Sequence, residues 1–469
     1  MKFLNNSKYI FVIVALLFFS CEDELQQSPI TERESKNFYS SEDEIESAVF
    51  GVYAALQSRD LYGLYLPAIG EVSSDNTFEE VPANDGGVFG QLDEFTVIPN
   101  NGLIGGIWKQ TYIAVQRANT VLNRIDAISF DSDATKQART GEMKFIRALL
   151  YFNMVRIYGD VPLVVEETTN PNDFFGQGRT PRSEVYTQIE QDLKEAITAL
   201  PSSTSEIGRP SEGAAQALLG KVYLTLGRFS DALTQLQSVV NSGNYELVSN
   251  VENIFGIENE NNSEVLFAVQ FASGLDGNSE GSNAFSQFSP SGTVSNAKGH
   301  SLPTLELYGL YADADLRKGV YLDLTGNGTP FTNKLTPNTS NASDGGSDWI
   351  VLRYSDIILM LAEAENESGS TSTAISLLNS IRNRAGLANT VATTQAEVRD
   401  AIELERRLEL IGEGHRWFDL LRKGKAIETM NAWFADQGIN RTVEDKDLLM
   451  PIPQSQIDTD PAIKQNPGY

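Results

Sequence analysis

Asp348-Trp349-Ile350-Val351-Leu352-Arg353-Tyr354-Ser355-Asp356-Ile357-Ile358-Leu359-Met360-Leu361-Ala362-Glu363-Ala364 is apolar on almost every side, yet it carries Arg353 and Asp356 in its middle. Such a run reads as a helix buried on several faces, expected over residues 350–366. Charges placed there are expected to be half-buried, and each then needs a partner. A second charged stretch follows, Glu405-Arg406-Arg407-Leu408-Glu409-Leu410 and then Glu413-Gly414-His415-Arg416-Trp417-Phe418-Asp419-Leu420-Leu421-Arg422. In the helix expected over 398–411, Ile402, Leu404, Leu408 and Ile411 form the buried stripe, and Glu403 and Arg407 form an i,i+4 pair worth a few tenths of a kcal/mol. The charges in both stretches read as internal ion pairs, not as acid–base catalysts, and Trp417 and Trp108 read as core aromatics.

Working outward, helical spacing recurs. From Trp108 the apolar positions run Tyr112, Val115, Leu122, Ile125 and Ile128. Residues 142–158 are apolar nearly all round, and Gly159-Asp160-Val161-Pro162 stops them. Helices are also expected over 183–200, 212–226, 229–240 and 373–385. Leu219-Gly220-x-x-Tyr223 with Gly227-Arg228-Phe229-x-x-Ala232-Leu233 resembles a tetratricopeptide hairpin, in which small residues let two helices approach. No clean 34-residue period accompanies it, so the other helices read as degenerate copies. Four long loops lie between, at about 72–106, 168–181, 272–301 and 325–348. Loops this long are usually functional or disordered; Phe285, Phe288 and Phe331 argue for the first, because solvated linkers seldom carry aromatics.

Composition removes most enzyme chemistries. The 469 residues include one Cys and two His, His300 and His415, which lie far apart. No Cys/His zinc site or disulfide scaffold can be assembled, and a Ser-His-Asp triad would need one of those two His as its base. A formal charge of −27 without a concentrated basic patch opposes nucleic-acid binding. Residues 1–20 carry Lys2, Lys8 and ten unbroken apolar residues from Ile10 to Phe19. That is a secretory signal, too short to span a membrane. Leu17-Phe18-Phe19-Ser20-Cys21 resembles a lipobox, which implies cleavage before Cys21 and its diacylation. Glu22-Asp23-Glu24 looks like the acidic export tag of Bacteroidetes surface lipoproteins. Loss of residues 1–20 leaves 34 basic and 63 acidic side chains, a charge of −29.

The motifs are similar to those of the SusD/RagB family of outer-membrane nutrient-binding lipoproteins. The 348–364 stretch resembles its RYAD-x-LLM-x-AEA helix, Ile381-Arg382-Asn383-Arg384-Ala385-Gly386 its arginine turn, and residues 405–422 its ER-x-x-EL…EG-x-R-x-x-DL-x-R signature. Leu449-Met450-Pro451-Ile452-Pro453 and Gln465-Asn466-Pro467-Gly468-Tyr469 resemble its closing LLPIP…QNPGY. Trp108-x-x-x-Tyr112 with Ala118-Asn119, Arg147-Ala148 with Tyr151-Phe152, and 158–163 fit its N-terminal half. The resemblance implies a mainly α SusD-like fold, in which degenerate tetratricopeptide helix pairs carry long irregular loops. Residues 21–241 form the N-terminal part and 242–469 the C-terminal part, with loop-rich stretches at 272–301 and 325–348, the two parts packed as one unit.

The resemblance also implies a non-catalytic, lipid-anchored protein facing the cell exterior. It would capture a neutral glycan (glucan, xylan, mannan or chitin-like) and act as the lid of a SusC-like TonB-dependent transporter. Carried over by position, the glycan-binding candidates are Asp75, Asn76, Phe95, Asn100, Asn101, Phe285, Phe288 and His300. The family's starch-binding tryptophan is absent near Phe95. RagB-like peptide capture and a protein-binding helical scaffold remain alternatives, and a glycoside hydrolase would need paired carboxylates such as Asp75 with Glu79 or Glu80. No cofactor is implied; Asp323-x-x-Gly326-Asn327-Gly328 is a fragment of a calcium-loop pattern, with a structural calcium as its reading.

Overall fold

The computed structural model describes residues 39–170, 172–274, 280–335 and 341–469; residues 1–20 and Cys21 lie outside them. Helices dominate, and each follows from local sequence. Ser132 caps the Asp133–Tyr158 helix by accepting a hydrogen bond from the Thr135 amide. Its first turns are polar and solvated, which hides the start from an apolar pattern: it begins nine residues before the expected 142. Gly159, at φ +74°, ends it in a backbone conformation that other residues adopt only with strain. Buried from Arg139 onward almost without a break, this helix packs between Gly102–Arg124 and Arg182–Ala199.

The Glu212–Thr225 and Phe229–Ser242 helices form the expected hairpin. At Gly220 a Cβ would stand 2.7 Å from Leu236 Cδ2, so the close approach of the two helices requires glycine there. The Tyr354–Glu367 and Thr371–Arg384 helices make a second hairpin, and the first of them also packs on Phe229–Ser242 and on Gln395–Glu409. One hydrophobic core runs through all of these, from Ile45 to Ile463. A smaller cluster joins Val251 and Ile254 to Leu307, Tyr311, Tyr321, Leu322, Leu408 and Ile411.

Several expectations are corrected. The 350–366 helix begins only at Tyr354; Trp349–Arg353 is a strand, antiparallel to Val265–Val269 with Val269 opposite Trp349. Apolar runs do not distinguish a buried strand from a buried helix, and Trp-Ile-Val suits a strand. The 72–106 loop contains strand Thr77–Phe78, paired with Leu302–Pro303, helix Val88–Asp93 and the start of the Gly102–Arg124 helix. The 272–301 loop contains helix Ala284–Gln287. Leu404 is 42 % exposed and leaves the buried stripe. Glu403 and Arg407 do not pair with each other: Glu403 binds Lys425 at 2.8 Å, and Arg407 binds Glu306 at 2.7 Å and Asp75 at 3.2 Å. Partners from neighbouring elements displace a solvent-facing contact worth only tenths of a kcal/mol.

Arg353 and Asp356 are fully buried, not half-buried. Arg353 binds Glu409 at 2.8 Å and Glu413 at 2.7 Å; Arg384 binds Glu264 and Glu409, and Arg317 binds Asp315, Glu405 and Glu409. Asp356 accepts from Lys221 at 2.9 Å and Arg406 at 2.7 Å, and Arg406 continues to Asp419. Burial pushes the Glu409 carboxyl up, but Arg384, Arg353 and Arg317 outweigh it and hold it well below the carboxylate range.

Candidate functional site

The residues chosen by position are mostly structural. Asp75 is buried and receives Arg416 Nε at 2.8 Å and Nη2 at 2.9 Å, with Arg407 beside it. Burial raises its carboxyl, but these guanidiniums bring it below the usual range. Asn76 donates to Glu71 and accepts from Arg407 Nε at 2.7 Å. His300 is fully buried, stacked 3.8 Å from the Phe89 ring, between Glu79 at 2.7 Å and Asp85 at 3.0 Å. Phe285 and Phe288 are buried, the former against Gly345. Asn101 caps the Gly102–Arg124 helix, accepting from Leu103 N at 2.9 Å. Phe95, at φ +54°, sets its half-buried ring edge-on to Trp417 and Phe434. Asn100 alone of the eight is exposed. An Asp75–Glu79 catalytic pair is also overturned, because both carboxylates are committed to internal partners. Asp323 lies in the Leu322–Leu324 strand, and Gly326, Asn327 and Gly328 turn the chain into strand Pro330–Thr332. Among the described residues, no group of three or more His, Cys, Asp or Glu side chains is gathered to hold a metal.

That same hairpin turn forms one wall of a groove of about 670 Å³. Phe78, Pro82, Asp93, Glu94, Thr304–Glu306 and, from the 433–441 segment, Trp433, Phe434, Gln437, Ile439 and Arg441 line the rest of it. The Ala426–Asp436 helix delivers Trp433, half-buried, beside Phe434. Leu305, the first residue of the Leu305–Leu310 helix that Thr304 caps, stands 65 % exposed in this lining. Arg441 reaches across to Glu94. Burial raises the Asp93 carboxyl to about 7, against a hydrogen bond from the Glu79 backbone and the charge of Arg441, so near neutrality it is partly protonated and can donate. Apolar and aromatic surface ringed by donors and acceptors suits a ligand with C–H faces and hydroxyl rims. Sequence reading missed this groove because its walls come from five separated segments. The adjacent Trp433-Phe434 and the Gly438 after them were the available signal.

Comparison with known proteins agrees with the architecture. Residues 325–469 match the SusD family model, and residues 25–224 match a model described as starch-binding associating with outer membrane. A SusD-like protein of Formosa agariphila is 26 % identical over 99 % of this chain and all of its own. A laminarin-binding SusD-like protein of known structure is 30 % identical, with a TM-score of 0.76, over 92 % of this chain and 100 % of that one. A SusD homologue from Bacteroides thetaiotaomicron, 23 % identical, shares the fold at a TM-score of 0.82, over 95 % of this chain and 100 % of that one. The fold defines a SusD-like, mainly helical protein. The chain belongs to the SusD family.

Proposed function

We propose that this protein captures a neutral oligosaccharide or polysaccharide at the cell surface in the groove between Phe78, Leu305 and Trp433, and that it is a binder without catalysis. The observation that carries the reading is the groove itself: exposed Leu305 and the half-buried rings of Phe78 and Trp433, with Asp93, Glu94, Glu306, Asn327, Gln437 and Arg441 beside them. Among the described lining residues the one cation, Arg441, is already paired with Glu94, so a uronate or sulfated chain meets no free positive charge there. The laminarin-binding relative supports a glucan as the first substrate to try. Exposed Asn100 is kept as an outlying contact. Diacylated Cys21 would anchor the protein to the outer membrane, two acyl chains giving stable attachment where one gives marginal binding. Among the described residues, no helix is long and apolar enough to cross a membrane. A SusC-like TonB-dependent transporter, for which this chain acts as lid, would receive the glycan.

Affinity electrophoresis of residues 22–469 against laminarin, starch, xylan, mannan, chitin oligomers, alginate and a peptide mixture tests the reading. Retardation by a neutral glycan, lost in Trp433→Ala, is expected. Retention by peptide alone would replace it with RagB-like peptide capture, and release of reducing sugar would overturn the non-catalytic assignment.

A further inference from the structure

Away from the groove, the Asp133–Tyr158 helix, the Glu212–Thr225 helix, residues 413–415 and the Arg416–Arg422 helix that follows them line a small, partly open cavity of about 50 Å³. Leu149, Leu218, Trp349 and Phe418 make its apolar lining. Its polar side carries Arg156 and Lys221 together with Glu413, which is already held by Arg353 and Lys334. The Arg156 guanidinium is sandwiched 4.0 Å from both the Phe152 and the Phe418 ring centroids. Its Nε donates to Phe152 O at 3.1 Å and Nη2 to Asn153 Oδ1 at 2.6 Å, but both acceptors are neutral. No carboxylate among the described residues pairs with it. An arginine stays charged in proteins, and burial lowers this one only to about 10.

Lys221 lines the same cavity. Its Nζ spends one proton on Asp356 at 2.9 Å and one on His415 Nδ1 at 3.1 Å, which leaves a third. Burial and Lys221 itself push His415 down to about 3, so its ring is neutral and accepts. Tyr62 accepts from Asn153 Nδ2 at 2.9 Å and keeps its own proton unspent. The carboxylates at hand are already engaged: Asp356 is shared with Arg406, Asp419 is held by Arg406 and Arg422, and Glu413 is held by Arg353 and Lys334. One water needs roughly 10–15 Å³ of such space, so the cavity has room for about three or four, or for one halide and a water.

We propose that this cavity binds a small monovalent inorganic anion of chloride size, held by Arg156, Lys221 and the Tyr62 hydroxyl. The ion would tie the Asp133–Tyr158 helix to the tetratricopeptide-like hairpin and to residues 413–418. It would compensate the charge of Arg156, which meets no carboxylate partner among the described residues. The site stands independently of the glycan reading.

Crystals of residues 22–469 grown in sodium bromide provide the direct test. A bromide anomalous peak within hydrogen-bond reach of Arg156 and Lys221 is expected; ordered water without anomalous signal would overturn the site. In solution, replacing gluconate by chloride at constant ionic strength should raise the unfolding midpoint by a few degrees and then saturate, because an ion bound only by the folded state stabilises it. The rise should vanish in Arg156→Met and shrink in Tyr62→Phe. An equal rise in wild type and Tyr62→Phe, together with an empty bromide map, would sink the proposal even if Arg156→Met fails to fold.

Discussion

The Arg353–Glu409 network and the Phe78–Trp433 groove are both rich in charge and aromatic rings, but they are built on opposite principles. In the network, Arg317, Arg353, Glu264 and Glu409 are at most 1 % exposed, and each carboxylate is met by one or more guanidiniums. In the groove, the Arg441–Glu94 pair is about one-third exposed at each end, and Leu305 faces solvent. Saturated charge holds elements together and has nothing left to offer a ligand. Unsaturated, half-wet surface contributes little to the fold and can bind. The motif-dense part of this chain is therefore scaffold, and the ligand-ready part carries almost no motif.

Substitutions can break that contrast, beginning with the largest effect. Glu409→Ala removes the buried carboxylate shared by Arg353, Arg384 and Arg317, leaving each with fewer acidic partners, and should cost about 3–5 kcal/mol in urea unfolding, as expected for breaking a buried ion pair. A loss below about 1 kcal/mol would mean that the network is wetter than it looks. Trp433→Ala should weaken glycan binding by roughly tenfold or more, as truncating an interface aromatic does, while retaining a cooperative unfolding transition. Asp93 comes next. Its folded carboxyl titrates near 7, above the ordinary 3.8, so the folded state holds a proton that the unfolded chain has released. Its contribution is present at low pH and is lost as pH rises toward 7. Asp348, also raised to about 7 by burial, adds the same slope. Asp93→Asn should thus flatten, without abolishing, the decline of the unfolding midpoint between about pH 4 and 7. Smallest is Arg441→Ala, which removes an exposed pair and should change stability by less than about 1 kcal/mol. A measurable change in glycan affinity from that variant would sharpen the division between scaffold and groove.

Much of the scaffold was legible before folding. Gly220 and Phe229 pointed to the hairpin, Gly159 and Pro162 to the helix stop, and Arg353, Asp356 and Glu409 to internal ion pairs. Periodicity failed where its signal is degenerate. Trp349–Arg353 carries the same apolar run whether strand or helix, and the polar first turns of Asp133–Tyr158 look like loop. Site residues chosen by position fared worse. Asp75, Asn76 and His300 are polar in sequence, but Arg416, Arg407 and the Glu79–Asp85 pair take up their hydrogen-bonding capacity.

By itself the sequence determined the helical scaffold and the need to pair its buried charges, because side-chain spacing and desolvation act locally and do not depend on which partner arrives. Only the tertiary structure decided the partners and the groove. Glu403 turned to Lys425 and Arg407 to Glu306, and Phe78, Leu305 and Trp433, each more than a hundred residues from the next, came to share one surface. Which side chains remain half-exposed after packing is a property of the assembled layers, and no local pattern records it.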